Sequence, residues 1–391
     1  MQMDGNVGWV ASIYIVIIGC GESASIFLQP IAQEHLYGYL PAITLRRKPL
    51  RKRYKYAPSM AIKTPTNSAR ATRQSRITSA LKRLRVLGAL MLPVAVIVLS
   101  VLFYCRPLWV IDQAMHARLG LAGIHSEYVM VGPYRVHYFV GGHGKPLLLI
   151  HGLGARSEDW TPQMPSYAKN GFRVYAIDLL GSGRTDRPDI AYTMQQQADL
   201  VHGFLDAVHV QQADVIGWSM GGWVALEFAL DHPRSIRRLV LMDSAGLWFH
   251  SSLTQDVFEP RTVPQLKRLE ALLIPQPQYL PGFFQRDLLR AMERNFPVVR
   301  RTLESMLSEK DQLDGRLNQL GMPVLLVWGT QDLLIPPSVG LRMHRQIPQS
   351  VLQFYSGCGH LGPAFCSGRI VPEVLKFLHS EPPMTGGMYQ Y

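Results

Sequence analysis

The chain has 391 residues, 47% of them hydrophobic and 17% charged, which excludes a wholly disordered protein and leaves room for a catalytic core with additions. Its net charge of +12 is unevenly placed: residues 1–85 carry 14 Lys/Arg against 3 Asp/Glu, and the remainder carries 26 against 25. The excess is a local N-terminal feature, so a nucleic-acid-binding role for the folded part is excluded. Cys20, Cys105, Cys358 and Cys366 form no CxxC pair, and there is no metal-ligand cluster or dinucleotide fingerprint, so neither metal nor cofactor is expected.

Residues 1–85 read as a basic, largely disordered segment. Within it, VGWVASIYIVIIG (7–19) is short for a membrane span and has no basic flank before it. Met60 opens an ordinary basic lead-in, and residues 1–59 read as an N-terminal extension. Residues 86–105, VLGALMLPVAVIVLSVLFYC, hold no charge over 20 positions, enough to cross about 30 Å of hydrocarbon as a helix. Pro93 is tolerated in such a helix. Lys82, Arg83 and Arg85 precede it, which predicts a single-pass anchor with the N-terminus cytoplasmic and the catalytic domain on the extracytoplasmic side. Residues 106–125 form a membrane-proximal linker. Its segment 108–123 has helical spacing, suited either to lying on the membrane or to packing on the domain.

From residue 126 the pattern alternates between apolar strands and helical stretches. YRVHYFV (134–140), KPLLLIHG (145–152), FRVYAIDLLGSG (172–183), ADVIGWSMGG (213–222), RRLVLMDSAG (237–246), PVLLVWGTQD (323–332) and VLQFYSGCGH (351–360) each end in turn chemistry. Buried strands alternating with helices predict an α/β fold with a mostly parallel sheet flanked by helices. Functional groups of such sheets gather at the carboxyl ends of the strands.

One strand end reads GWSMGG, where Gly217, Gly221 and Gly222 strip side chains from around Ser219. A strand turning so sharply into a helix holds a serine hydroxyl out beside a helix N-terminus, a suitable place for a nucleophile. In chain order, HGLGA (151–155), DLLGSG (178–183), GWSMGG (217–222), GTQD (329–332) and GCGH (357–360) occupy successive strand ends. Over residues 126–381 this resembles the α/β-hydrolase fold family, and in particular its membrane-anchored monoacylglycerol lipase-like and bacterial lipase or esterase members. The resemblance implies Ser219 as nucleophile, His360 as base and Asp332 as the acid that orients it, with Asp243 competing for the last role. It also implies an oxyanion hole from the N–H groups of Met220 and Leu153. His151 is expected to shape that loop, and Asp178, Gly181 and Gly183 a turn. Ser219 stands where dehalogenases and epoxide hydrolases of the fold carry aspartate, which favours acyl transfer.

The resemblance divides the catalytic part into a core (126–246 and 321–381), a helical cap (247–320) and a flexible tail (382–391). Trp248, Phe249, Leu272, Leu273, Ile274, Phe283 and Phe284 give the cap apolar surface. Trp218, Leu333 and Leu361, with Leu153 and Leu334, point to an apolar substrate pocket. A small-molecule or lipid ester fits these features and the anchor. The alternatives are a carbon–carbon bond hydrolase of the ring-cleavage-product type, which shares the SMGG elbow, and a non-catalytic membrane-tethered binding protein. Cys358 and Cys366 flank His360 and could pair in an oxidising compartment; the sequence leaves open whether they do.

Overall fold

A computed structural model describes residues 67–391 except 251–253, 278–279 and 309–311. The apolar run 7–19 and the extension 1–59 lie outside the described residues. Among those described, nine strands form one sheet in the order β1-β2-β4-β3-β5-β6-β7-β8-β9. They are β1 (Ile124–Val131), β2 (Tyr134–Gly142), β3 (Lys145–Ile150), β4 (Phe172–Ile177), β5 (Ala213–Trp218), β6 (Ile236–Met242), β7 (Val324–Gly329), β8 (Val351–Tyr355) and β9 (Met388–Gln390). Only β2 runs antiparallel to its neighbours, and from β4 to β9 every pairing is parallel. A parallel sheet is covered on both faces, so its central strands need no polar side. Accordingly β5 and β7 are buried at all six positions.

The helices are α1 (Asn67–Cys105), α2 (Pro107–Leu121), α3 (Met164–Lys169), α4 (Met194–Ala207), α5 (Met220–Asp231), α6 (Val263–Leu273), α7 (Gly282–Glu293), α8 (Phe296–Leu307), α9 (Pro337–Gln346), α10 (Gly362–Phe365) and α11 (Ser367–His379). α6, α7 and α8 lie in the insertion between β6 and β7 and make up the cap. The aliphatic side chains of α5 and α11 cover the sheet, each fully buried one contributing about 1.5–3 kcal/mol.

The catalytic unit begins at Leu102. α2 belongs to it: Leu108, Ile111, Met115 and Leu119 recur on one face and are all buried, so this helix packs on the domain. α1 starts well before the expected anchor, and residues 67–85 are helical rather than disordered. The reason is compositional, since Ala, Arg, Gln, Lys and Leu recur there without Gly or Pro. Among the described residues no single helix is long and apolar enough to cross a membrane. Met91–Cys105 and Pro107–Leu121 meet that length and composition only as a pair.

The expected flexible tail also needs correction. Residues 388–390 form β9 on the sheet edge, and Tyr391 stacks on Tyr355 with ring centroids 5.2 Å apart. Backbone pairing and one aromatic contact hold this edge without an apolar run in the sequence.

Candidate active site

Ser219 sits between β5 and α5 with φ 57° and ψ −122°. This is a left-handed position that a non-glycine residue occupies at a cost of about 1–3 kcal/mol. The surrounding glycines make it possible: a Cβ on Gly217 would fall on the Gly221 carbonyl, and one on Gly221 would fall on the Ile150 carbonyl. The backbone is then fixed from two sides. Ser219 donates its N–H to Met242 O, and Ser219 O accepts from Gly222 and Ala245.

Two further strand ends meet this hydroxyl. His360, in the loop after β8, places Nε2 2.9 Å from Ser219 Oγ and Nδ1 2.8 Å from Asp332 Oδ2. Asp332, after β7, is held in turn by the N–H groups of Leu334 and Ile335, each 2.9 Å from Oδ1. His360 and Asp332 are 3% and 2% exposed, so water does not compete for these bonds. The disulfide Cys358–Cys366 closes the chain around His360, and Trp218 Nε1 donates to His360 O at 3.0 Å.

Asp243, the competing acid, lies after β6 with φ 46°. Its Oδ1 accepts from Gly329 N at 2.8 Å and its Oδ2 has no hydrogen-bond partner. Burial first, and then the charge of Asp332, hold its pKa well above the usual carboxylate range.

The loop after β3 faces Ser219 from the other side. A Cβ on Gly152 would stand 3.1 Å from Ser219 Cβ, so a side chain here would press on the nucleophile. His151 is wholly buried and accepts the N–H of Leu179 at Nε2 (3.1 Å). Its proton therefore sits on Nδ1 and is donated to Gly152 O at 2.8 Å. This turns the Gly152 carbonyl toward His151. Leu153 N and Met220 N donate no hydrogen bond within the protein among the described residues, and both flank the serine.

Behind the same loop lies a buried ionic cluster absent from the sequence reading. Arg156, fully buried, reaches Asp112 of α2 at 2.7 Å and Glu158 at 3.4 Å, and Arg184 reaches Glu158 at 2.9 Å. Burial raises the Glu158 pKa, but Arg156, His116 and Arg184 outweigh it and hold the carboxyl far below its ordinary range. Asp178 accepts from Ser157 N at 2.7 Å and from His137 Nδ1 at 2.6 Å, which ties the ends of β4 and β2 to this loop. Asp112, His116 and Glu158 bring ligand atoms within 4.8 Å of one another. Two guanidinium groups already serve these carboxylates, so the donor set does not suit a metal ion.

A cavity of about 390 Å³ opens above Ser219. Leu153, Trp218 and Leu361 line it as expected, together with Trp248, Phe249 and Leu273 of the cap. Leu333 does not. It is 62% exposed because Asp332 Oδ1 captures the next two N–H groups and turns the chain, so that Leu334 and Ile335 face the cavity instead. Leu272, Ile274, Phe283 and Phe284 are likewise absent from the lining. α8 supplies what the sequence reading left unnamed: Val299, Leu303, Met306 and Leu307. Their spacing in FPVVRRTLESML is the one signal that could have found them. No lysine or arginine lines the cavity among the described residues, and its one carboxylate is that of Asp159.

Residues 145–364 match the family profile of the alpha/beta hydrolase fold. The chain is 31% identical over 284 residues to the 2-hydroxymuconate semialdehyde hydrolase of Pseudomonas sp. (strain CF600), covering 68% of this chain and 97% of that protein. Among solved structures, a membrane phospholipase A described as a bacterial virulence factor aligns with a TM-score of 0.65 at 25% identity, over 75% of this chain and 97% of that one. The 2-hydroxy-6-oxo-6-phenylhexa-2,4-dienoate hydrolase of Rhodococcus sp. strain RHA1 aligns with a TM-score of 0.58 at 21% identity, over 66% and 99%, a likeness of fold alone. The chain belongs to the alpha/beta hydrolase fold family.

Proposed function

We propose that the protein is a membrane-anchored serine hydrolase of uncharged carboxylic esters with an apolar acyl part. His360 takes the Ser219 proton as Oγ attacks the ester carbonyl carbon, while Asp332 stabilises the imidazolium. The oxyanion is received by the N–H groups of Met220 and Leu153. Collapse expels the alcohol, protonated by His360, and leaves an acyl-enzyme on Ser219. Water, deprotonated by the same imidazole, attacks that acyl carbon and releases the acid with Ser219 restored.

The observation that carries the reading is the charge of the cavity. The names of the relatives divide between a phospholipase and hydrolases of muconate and dienoate compounds. A carboxylate substrate buried in this cavity would find no lysine or arginine among the described lining residues, whose one acidic member is Asp159. An unpaired buried charge of that kind is strongly disfavoured. A neutral ester with a hydrocarbon arm avoids the cost of burying a charge and gains apolar contact. The carbon–carbon bond hydrolase is the second reading, supported by 31% identity to the Pseudomonas enzyme. Hydrolysis of p-nitrophenyl esters of rising chain length, measured beside a 2-hydroxy-6-oxo-dienoate, separates the two: turnover of the dienoate alone overturns the ester reading. Fluorophosphonate labelling that survives Ser219→Ala removes the nucleophile.

Two features support the anchor. Leu92, Val94, Val96, Ile97, Val98 and Leu99 of α1 are all at least half exposed, an apolar surface that water does not favour. The Cys358–Cys366 disulfide suits an extracytoplasmic domain. Carbonate-resistant sedimentation of the full chain, with protease access to the catalytic domain from outside, tests this topology.

A further inference from the structure

The cap carries a second recess, separate from the cavity over Ser219. It is a groove of about 230 Å³ lined by Arg261, Arg286, Arg290 and Glu293, with Pro260, Leu289 and Phe296 as its apolar floor. Arg261 shares its charge with Glu293 at 3.5 Å and Glu259 at 3.9 Å. Arg286 and Arg290 are exposed and form no ion pair among the described residues. One carboxylate therefore faces three guanidinium groups, two of them uncommitted.

The position of this groove identifies its occupant. Arg286 and Arg290 lie three and seven residues beyond Phe283 on α7, which places all three on one side of that helix. Phe283 stacks on Tyr104, with centroids 5.1 Å apart, and meets Phe103 edge-on at 5.9 Å. The neighbouring Leu108 N donates to buried Asp287 of α7 at 3.2 Å. The arginine row thus begins where the apolar stretch of α1 ends, and runs about 10 Å along α7 from that point. Tyr104 and Trp109, 59% and 51% exposed, sit at the same place, as aromatic side chains do at a membrane surface.

We infer that this face of α7 docks on the membrane and that the groove takes the phosphate of an anionic lipid headgroup, held by Arg286 and Arg290. Guanidinium groups bind phosphate through paired N–H donors, and each basic residue near an anionic leaflet contributes about a five-fold preference. The inference rests on the anchored topology proposed above and is independent of the ester chemistry at Ser219.

The test uses the full chain in nanodiscs of phosphatidylcholine, alone or with about one third phosphatidylglycerol. Arginines are modified with phenylglyoxal and each site is followed by peptide mass mapping, with exposed Arg234 before β6 as internal reference. Arg286 and Arg290 are expected to react about five-fold more slowly, relative to Arg234, when the anionic lipid is present. Equal rates in the two discs overturn the docking and leave the anchor standing. Equivalent protection by inorganic phosphate in plain phosphatidylcholine discs makes the groove a small-anion site and overturns the lipid assignment. A chain that enters neither disc overturns anchor and docking together.

Discussion

His360 Nδ1 lies 2.8 Å from Asp332 Oδ2, while Asp243, one strand away, gives Oδ1 to Gly329 N and leaves Oδ2 unpartnered. Both acids are buried at strand ends, yet only Asp332 meets the imidazole. Asp332→Asn is expected to lower kcat on p-nitrophenyl butyrate by about 10⁴-fold, the scale on which such an orienting acid acts. Asp243→Asn is expected to stay within about ten-fold of wild type. Rates per fluorophosphonate-titrated site decide the matter, and an equal fall in both variants would reject Asp332 as the orienting acid.

The raised pKa of Asp243 has a consequence for stability. Its folded pKa is raised, by burial first and the charge of Asp332 second, so the native chain keeps a proton that the unfolded chain releases. The associated stability is present below the unfolded value near 4 and is lost as pH rises through the raised folded value. Asp243→Asn has no such proton to lose. Denaturant unfolding should therefore show the variant gaining on wild type as pH climbs from about 4 to 7. A difference that is flat with pH would mean that Asp243 ionises in the native state.

His151 acts with the opposite sign. Burial lowers its pKa, so below about 6.5 the unfolded chain takes up a proton that the native chain refuses, and stability falls with falling pH. Its ring also holds the Gly152 carbonyl through Nδ1 in the loop that faces Ser219. His151→Ala should lose the stability slope between about pH 6.5 and 5. It should also lower kcat by about 10²–10³-fold, as loss of one oxyanion donor does, with little change in KM. A change confined to KM would count against the role in the loop.

Which of these groups could be seen in the sequence depended on how local the signal was. Ser219, Asp332 and His360 were legible because each ends an apolar strand, and the ends of parallel strands converge. Leu153, Trp218 and Leu361 were legible for the same reason. Leu333 was misplaced by one position because the Asp332 carboxylate, not the alternation of the strand, sets the register of that turn. The cluster of Asp112, Arg156, Glu158 and Arg184 was invisible. Its members are separated by up to 72 residues in sequence, and each alone resembles a solvated surface charge. β9 was hidden because an edge strand needs backbone pairing more than apolar side chains.

The disulfide should stabilise the histidine loop more than the fold. It closes a segment with a sequence separation of 8, for which chain entropy suggests about 2.5 kcal/mol. Cys358 is buried against the loop that carries His360. Cys358→Ser/Cys366→Ser is expected to lower the unfolding free energy by about that amount and to reduce kcat more than it raises KM. Thiol counting before and after reduction confirms the bond, and unchanged stability in the double variant would show that it does not constrain the loop.

The cavity makes the sharpest claim about substrate. Val299, Leu303 and Met306 face it from α8, and a Cβ on Gly154 would stand 3.7 Å from Val299 Cγ2, which places this helix directly over the oxyanion loop. On the proposed ester chemistry, an acyl chain on Ser219 is expected to run along α8. Leu303→Trp fills part of that path. Each methylene denied burial is worth about 0.8 kcal/mol, so losing two or three costs roughly 10–60-fold. The variant should retain kcat/KM on the butyrate ester and lose about that factor on the decanoate. Thermal unfolding separates this from overpacking, which would destabilise by about 1–3 kcal/mol and slow both esters alike. Equal loss on butyrate and decanoate without destabilisation would place the acyl arm elsewhere in the cavity, along Trp248 and Phe249.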